Sequence, residues 1–180
     1  MSTSPHLEAS RRPSNAQVVG VLSLLLGLQP VTTDLYLPSL PGLARELGAP
    51  MSGAQLTLSA LILAFGLGQL VVGPMSDRFG RRPLLLGGLS LYVVASLSSM
   101  MAPTIDALIV ARAIQGLGLA AAIVCGRAMV RDLYEPLEGT YVMSRGQTGL
   151  GVCALASPLV GGWLAMGAGW RAALATTGLI

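Results

Sequence analysis

The sequence predicts an all-α membrane protein that crosses the bilayer several times, and two observations carry this prediction. No charged residue occurs between Glu46 and Asp77, or between Arg82 and Asp106. Each of these stretches exceeds the ~20 apolar residues that a helix needs to cross a ~30 Å hydrocarbon core. In addition, 53% of the 180 residues are hydrophobic and only 11% are charged, whereas about a quarter of the residues in a soluble domain are charged.

The apolar runs and the charged breaks between them divide the chain into a tail and one bundle. Residues 1–15 are polar and are predicted to form a disordered cytoplasmic tail, while 16–180 form the bundle. Arg11-Arg12 could also open a signal peptide or a twin-arginine signal. No small-x-small cleavage site closes the first run, so an uncleaved helix is predicted. The predicted helices cover residues 16–37, 53–75, 84–102, 106–128, 142–165 and 168–180.

The last of these helices is cut off at Ile180. A helix of about ten residues cannot cross a bilayer. The chain is therefore expected to be a fragment, or a truncated product, of something about twice as long.

The distribution of arginine predicts a cytoplasmic N-terminus, because cytoplasmic loops carry the excess of basic residues. In this orientation the outer side carries only Arg45 and Arg171. Trp163 and Trp170 are then expected at the outer interface, and residues 38–52 form an outer loop. The arginines on the cytoplasmic side are Arg11, Arg12, Arg78, Arg81, Arg82, Arg127, Arg131 and Arg145.

The residues available for chemistry argue against an enzyme, a metal protein or a nucleic-acid-binding protein. The one histidine is His6 in the tail, and the sequence has no nucleophile elbow and no phosphate-binding loop. Cys125 and Cys153 lie in apolar segments, where they are expected to pack as small hydrophobes. The arginines cluster at helix ends, as topology requires, rather than on a nucleic-acid-binding face.

Two polar residues within the predicted spans are candidates for a functional site. Asp34 lies near the outer end of the first span, and Arg112 lies six positions into the fourth. A charge at a helix centre in the bilayer costs ~2.5–3.5 kcal/mol, so such residues normally face a cavity or a partner. Gln115 and Gly116 share the face of Arg112, and another helix can approach closely at Gly116. The alternatives are an Asp34 that ends its helix in outer-leaflet water and an Arg112 that snorkels to the interface.

A charged segment, Gly73-Pro-Met-Ser-Asp-Arg-Phe-Gly-Arg-Arg-Pro83, is predicted to form a tight cytoplasmic loop between the second and third helices. We hypothesise that Asp77 pairs with Arg127 or Arg131 when the cytoplasmic side is closed. In the same state Arg81 would pair with Asp132 or Glu135. The alternative is that these charges only enforce topology.

The fifth span carries small residues in two rows. Gly149, Cys153, Ser157 and Gly161 recur every four positions, and Ala154, Pro158 and Gly162 form a parallel row. Such rows allow helix backbones to pack closely in lipid.

Several of these segments resemble the major facilitator superfamily. The loop matches the G-x-x-x-D-R-x-G-R-R pattern between helices 2 and 3 of that family, and Arg112 to Ala121 resembles its helix-4 motif R-x-x-Q-G-x-G-x-A. The resemblance implies a six-helix N-terminal half of a twelve-helix transporter, with the sixth helix incomplete. It also implies a gate at the loop, formed by Gly73, Asp77, Arg78, Gly80, Arg81, Arg82, Arg127 and Arg131.

Within that family, Thr33-Asp34-Leu-Tyr-Leu-Pro38 resembles the end of helix 1 in the Bcr/CflA branch of drug:proton antiporters, the bicyclomycin and chloramphenicol exporters. The resemblance implies that Asp34 binds a cationic substrate or couples protons, and that Tyr36 lines the cavity. It further implies that Arg112, with Gln115, moves protons on and off a nearby acid.

The fifth span adds a motif that is associated with antiporters. Ser157-Pro158-Leu-Val-Gly161-Gly162 resembles G-P-x-x-G-G, with Ser157 in place of the usual glycine.

The function implied by these resemblances is proton-coupled efflux of small amphipathic drugs across the bacterial cytoplasmic membrane by alternating access. The proton is then the coupling ion and no other cofactor is expected. The expected partners are a drug, the lipid bilayer and the missing C-terminal six-helix half. The alternatives are a symporter or importer of a metabolite, and a truncated fragment without transport activity.

Overall fold

The computed structural model describes residues 14–167 and 169–179, and within these ranges the chain is entirely helical, with no β-strand. A short 3-10 turn, Leu37–Ser39, follows the first helix. The α-helices are α1 (Asn15–Thr33), α2 (Leu40–Glu46), α3 (Met51–Phe79), α4 (Arg81–Met100), α5 (Ile105–Leu133), α6 (Pro136–Gly167) and α7 (Gly169–Leu179).

Five segments are long and apolar enough to cross a membrane, which confirms the predicted fold class. They are α1 together with α2, and then α3, α4, α5 and α6. Helix α7 contains 11 residues. Of the tail predicted for residues 1–15, residues 1–13 lie outside the described residues. The last two residues instead belong to the start of α1, since the Ser14 hydroxyl caps the helix and Asn15 is its first residue.

Helix α5 lies at the centre of the bundle. Helices α3 and α4 both pack along it, α1 packs along α6 and also contacts α5, and α7 packs against α4. Glycines make the two crossings of α5 close. A Cβ atom on Gly116 would lie 2.3 Å from the Leu61 carbonyl oxygen of α3, and one on Gly118 would lie 2.7 Å from the Tyr92 nitrogen of α4. The close approach predicted beside Gly116 is therefore confirmed.

The segment predicted as an outer loop, 38–52, is largely helical. The 3-10 turn and α2 follow α1 almost without interruption, and α3 already begins at Met51. The predicted loop contains Pro38 and Pro41. Both prolines instead occupy the first turn of a helical element, where the missing N–H would have had no partner.

The predicted loop around Gly80 is also shorter than expected. Helix α3 runs through Gly73, Asp77 and Arg78, and only Gly80, with φ of 93°, interrupts the path into α4. At ~1.5 Å per residue, the 29 residues of α3 extend about 44 Å, well beyond a ~30 Å hydrocarbon core. The apolar run marks the part of the helix in hydrocarbon, whereas the helix itself continues into the polar region.

The sequence predicted Trp170 at the outer membrane interface. The structure instead buries its side chain inside the bundle, with 3% of its surface exposed. Its indole Nε1 donates a hydrogen bond of 2.7 Å to Glu46 Oε2, and the neighbouring Arg171 forms an ion pair with the same carboxylate. The Glu46 carboxylate at the end of α2 therefore holds the indole inside the bundle and connects α2 to α7. Trp163 is 73% exposed, and its place at the interface stays a prediction.

Candidate functional site

Arg112 lies on α5, and its side chain is completely enclosed by the bundle, with 0% exposure. Its Nη1 donates to Gln115 Oε1 at 2.8 Å, as the shared helix face allows, and its Nη2 donates to the Thr32 carbonyl oxygen at 3.0 Å. The last carbonyl groups of a helix lack partners within the helix. Arg112 supplies one for α1, so the guanidinium is held inside the protein and does not snorkel.

Tyr36 covers the face of this guanidinium. The Arg112 Cζ atom lies 4.3 Å from the centre of the Tyr36 ring, within the range of a cation–π contact. The Tyr36 hydroxyl is 2.8 Å from the Thr57 hydroxyl on α3. Tyr36 is 0% exposed in this conformation, and its role in lining the cavity stays a prediction. The ring contacts α5 through its face and α3 through its hydroxyl.

A buried polar network extends from Arg112 to α7 and α4. Gln115 Nε2 is 3.4 Å from the Thr177 hydroxyl on α7, which is 2.8 Å from the Ser96 hydroxyl on α4. On the other side, the Thr32 hydroxyl lies 2.6 Å from the Tyr92 hydroxyl. Helices α1, α4, α5 and α7 are thus joined by one set of hydrogen bonds around a single buried cation.

Asp34 lies at the C-cap of α1, two residues beyond the carbonyl that Arg112 binds, and its side chain is half-buried. Its Oδ1 accepts a hydrogen bond of 2.8 Å from the Thr33 hydroxyl. No carboxylate of the described residues lies within 4.0 Å of Arg112. The structure therefore places Asp34 and Arg112 near one segment of backbone but does not pair their charges. Within the described residues, the buried Nε of Arg112 also lacks a hydrogen-bond partner.

The small residues of α6 meet the same end of α1. A Cβ atom on Gly161 would lie 2.1 Å from the Leu35 carbonyl oxygen, so α6 touches the backbone between Asp34 and Tyr36. The Ser157 hydroxyl donates to the Cys153 carbonyl of its own helix at 2.6 Å. A Cβ atom on Gly162 would meet nothing within 4 Å, and Pro158 is exposed. These two residues of the second row therefore face away from the described bundle.

The charged residues at the Gly80 end form a cluster that differs from the hypothesis. Arg81 pairs with Asp132, as predicted, through its Nε at 3.0 Å, and also with Asp77 at 2.5 Å. Asp77 does not pair with Arg127 or Arg131 in this conformation, and their pairing in the closed state stays a prediction. Asp77 and Arg81 are only four residues apart, separated by the break at Gly80. Asp77 therefore pairs with Arg81 rather than with an arginine of α5.

An open groove of about 870 Å³ lies beside this cluster, between α3, α5 and α6. Arg127 and Arg131 are exposed along it, together with Asp77 and Gln147. Arg78 and Arg82 are exposed nearby, and the Arg78 guanidinium lies 5.5 Å from the Phe79 ring centre. The predicted gate residues therefore gather at one end of the bundle, on both sides of the Gly80 break.

Comparison with known proteins decides the family. The model of the Major Facilitator Superfamily matches residues 22–180. The chain belongs to this superfamily. It is therefore a multi-pass membrane protein from a family of transporters, with the fold of a six-helix N-terminal half.

Relatives within the superfamily carry drug-resistance names. The chain is 35% identical to multidrug resistance protein D of Escherichia coli over 90% of its length, and 40% identical to a chloramphenicol resistance protein of Pseudomonas aeruginosa over 94%. It is 31% identical to a bicyclomycin resistance protein homolog of Haemophilus influenzae over 86%. The chain spans 41%, 41% and 38% of these relatives, respectively.

A solved superfamily structure confirms the fold. The human organic anion transporter MFSD10 superposes with a TM-score of 0.72 at 22% identity, covering 93% of this chain and 46% of that one. At this identity the likeness concerns the fold alone.

Sequence reasoning missed four hydroxyl residues of this superfamily bundle. Thr32, Tyr92, Ser96 and Thr177 are all buried around the Arg112 network. Tyr92 and Ser96 lie four residues apart on one face of an apolar helix, a signal of a polar seam that could have indicated them. Thr32 and Thr177 carry no comparable spacing signal.

Proposed function

We propose that the transporter containing this chain exports small amphipathic drugs in exchange for protons across a bacterial cytoplasmic membrane. The observation that carries the proposal is the 35–40% identity to two proteins named for drug resistance, over at least 90% of this chain. In the proposed orientation the N-terminus and the Gly80 end face the cytoplasm, as the positive-inside rule favours.

In this proposal Asp34 carries the coupled proton. It is the only acidic residue between Glu8 and Glu46. It is half-buried, and no arginine of the described residues lies within 4.0 Å of it. A carboxylate without a fixed cation partner is free to exchange a proton for a cationic or polar group of the drug. Binding of the drug and protonation then exclude each other at one position.

Arg112 is proposed to link this exchange to the conformation of α1. It binds the Thr32 carbonyl and lies against the Tyr36 ring, so it contacts α1 on both sides of Asp34. Charges interact more strongly in a low-dielectric interior than in water. A change in the charge of Asp34 would therefore alter the forces on the end of α1.

Alternating access requires the six-helix unit to move as one body against a second unit. The cluster at the Gly80 end fits a gate that opens in every cycle, because Asp77 is 62% exposed and its pair with Arg81 is weak. Exposed pairs of this kind contribute ~0–1 kcal/mol each. We propose that the exposed Arg127 and Arg131 engage groups of the second unit when the groove closes.

The energy available from the proton suits this task. One charge that moves across 100 mV supplies ~2.3 kcal/mol. Since every 1.4 kcal/mol is a factor of ten, one proton supports a drug concentration ratio of roughly 50.

The test uses inverted membrane vesicles that contain the full-length transporter and an internal pH-sensitive dye. Addition of chloramphenicol to acidified vesicles should release protons from the wild type, and Asp34→Asn should abolish this release. Asp106→Asn is the matched control, because Asp106 is an exposed acid in the first turn of α5. Proton release that persists in Asp34→Asn would reject the role of Asp34, and resistance without any proton movement would reject coupling itself.

A second candidate function is the transport of an organic anion. The buried Arg112 guanidinium favours it, since this cation has no carboxylate partner and its Nε lacks a hydrogen bond within the described bundle. A substrate carboxylate would supply both the missing negative charge and a hydrogen-bond acceptor for Nε. Uptake of radiolabelled citrate and of chloramphenicol into the same vesicles separates the two candidates, and the direction of flux under an imposed proton gradient separates export from import.

A further inference from the structure

A second groove lies at the Gly80 end, between α4 and α5, and the proposed transport mechanism does not use it. Its volume is about 470 Å³. Leu86 and Leu133 are 56% and 50% exposed, so the groove opens to the outside of the bundle. Its walls are formed by Leu85, Leu86, Met129 and Leu133, with Arg82 and Asp132 also lining it.

The polar end of this α4–α5 groove is positively charged. Arg82 lies in the first turn of α4, and within the described residues no carboxylate lies within 4.0 Å of it. Asp132 also lines the groove, but its carboxylate is already paired with Arg81 at 3.0 Å. Arg81 lines the groove as well, so its charged lining consists of two cations, Arg81 and Arg82, and one anion, Asp132.

The start of α4 adds to this charge. The N-cap residue is Gly80, and no side chain caps the helix there. The N–H groups of the first turn therefore point out of the helix without a side-chain acceptor, at the positive end of the helix dipole. Arg82 and these groups lie one turn before Leu85 and Leu86, so the charged and apolar parts of the groove are continuous along α4.

We propose that the α4–α5 groove binds one anionic phospholipid, with its phosphate at Arg82 and an acyl chain along Leu85, Leu86 and Leu133. A basic rim joined to an apolar wall is complementary to an amphiphile with a negative headgroup. A soluble anion would use only the rim, and a zwitterionic lipid would use mainly the wall. The surrounding bilayer supplies such lipids directly. The site is independent of the proposed drug export.

The test is native mass spectrometry of the full chain in a non-ionic detergent, titrated with phosphatidylglycerol and with phosphatidylcholine of identical acyl chains. Since about 1 kcal/mol is gained per arginine near an anionic lipid, wild type should bind phosphatidylglycerol roughly fivefold more tightly. Arg82→Gln should remove this preference and Arg82→Lys should retain it. The matched control is Arg145→Gln, because Arg145 is an exposed arginine on α6 whose guanidinium lies over the Tyr141 ring, outside the groove.

A second variant tests the apolar wall separately. Leu86→Trp should fill the groove and weaken binding of both lipids while leaving the preference for phosphatidylglycerol unchanged. Equal binding of the two lipids by wild type would overturn the proposal. So would equal losses in Arg82→Gln and Arg145→Gln, which would indicate only a general charge effect. If Arg82→Gln loses its helical circular dichroism, unchanged lipid binding by Leu86→Trp is the outcome that overturns it.

Discussion

Replacement of Gly161 by alanine is expected to force α6 away from the end of α1. The added Cβ would lie 2.1 Å from the Leu35 carbonyl oxygen and 2.8 Å from the Leu35 Cα. Since ordinary contacts of this kind exceed about 3 Å, the two backbones must separate by roughly 1 Å, and overpacking of this kind costs ~1–3 kcal/mol.

The adjacent glycine provides a matched control. A Cβ on Gly162 would meet nothing within 4 Å, and both residues lie inside α6. The change from glycine to alanine in a helix interior contributes ~1 kcal/mol of stability in either variant. The difference between Gly161→Ala and Gly162→Ala therefore isolates the steric cost of ~1–3 kcal/mol.

Thermal unfolding in detergent measures this difference. At about 2–4 °C per kcal/mol for a chain of this size, Gly161→Ala should melt roughly 2–12 °C below Gly162→Ala. In the full-length transporter it should also lower drug resistance, because the contact lies between Asp34 and Tyr36. Equal melting temperatures of the two variants would refute the packing of α6 on the end of α1.

Three further substitutions test the polar contacts. Gln115→Leu should destabilise by ~1–3 kcal/mol in denaturant unfolding, because it leaves a buried donor of Arg112 without its acceptor; a neutral effect would contradict the buried network. Asp132→Asn should change the same measurement by less than ~1 kcal/mol, because the Asp132 side chain that pairs with Arg81 is about half exposed; a larger loss would indicate a structural role. Tyr92→Phe should cost about 1 kcal/mol through the lost hydroxyl contact with α1, and an unchanged midpoint would count against that contact.

The helical repeat and the charge pattern predicted what depends on a single helix. The runs free of charge located the candidate crossing segments, and the three-residue spacing placed Arg112 and Gln115 on one face, where their side chains form a hydrogen bond. The outer loop predicted at 38–52 is largely helical, because Pro38 and Pro41 each fit the first turn of a helical element. The sequence analysis also predicted α3 too short, because it ended the helix where the charged residues begin. The helix continues through Asp77 and Arg78 to Phe79.

Contacts between helices were beyond the reach of the same reasoning. Periodicity assigns Arg112 to a face of α5 but does not say which neighbour that face meets. Its partner is the backbone carbonyl of Thr32. Every residue has such a carbonyl, so the residue type does not indicate which one accepts the hydrogen bond. Asp77 likewise had several arginines within plausible reach, and the geometry of the Gly80 break selected Arg81.

The end of α1 is held from two sides, and this arrangement is what makes Asp34 a suitable coupling residue in the proposed mechanism. Arg112 binds the carbonyl of Thr32 and stacks on Tyr36, while Gly161 of α6 lies against the backbone of Leu35. Each contact uses rigid backbone or a ring enclosed by other helices, so the segment has little freedom to absorb a new force locally. In the proposed mechanism, a charge that appears or disappears at Asp34 is then balanced by movement of α5 and α6, which both contact the segment. We therefore expect the consequences of protonation at Asp34 to reach both helices, and to be lost when either Arg112 or Gly161 no longer holds the segment.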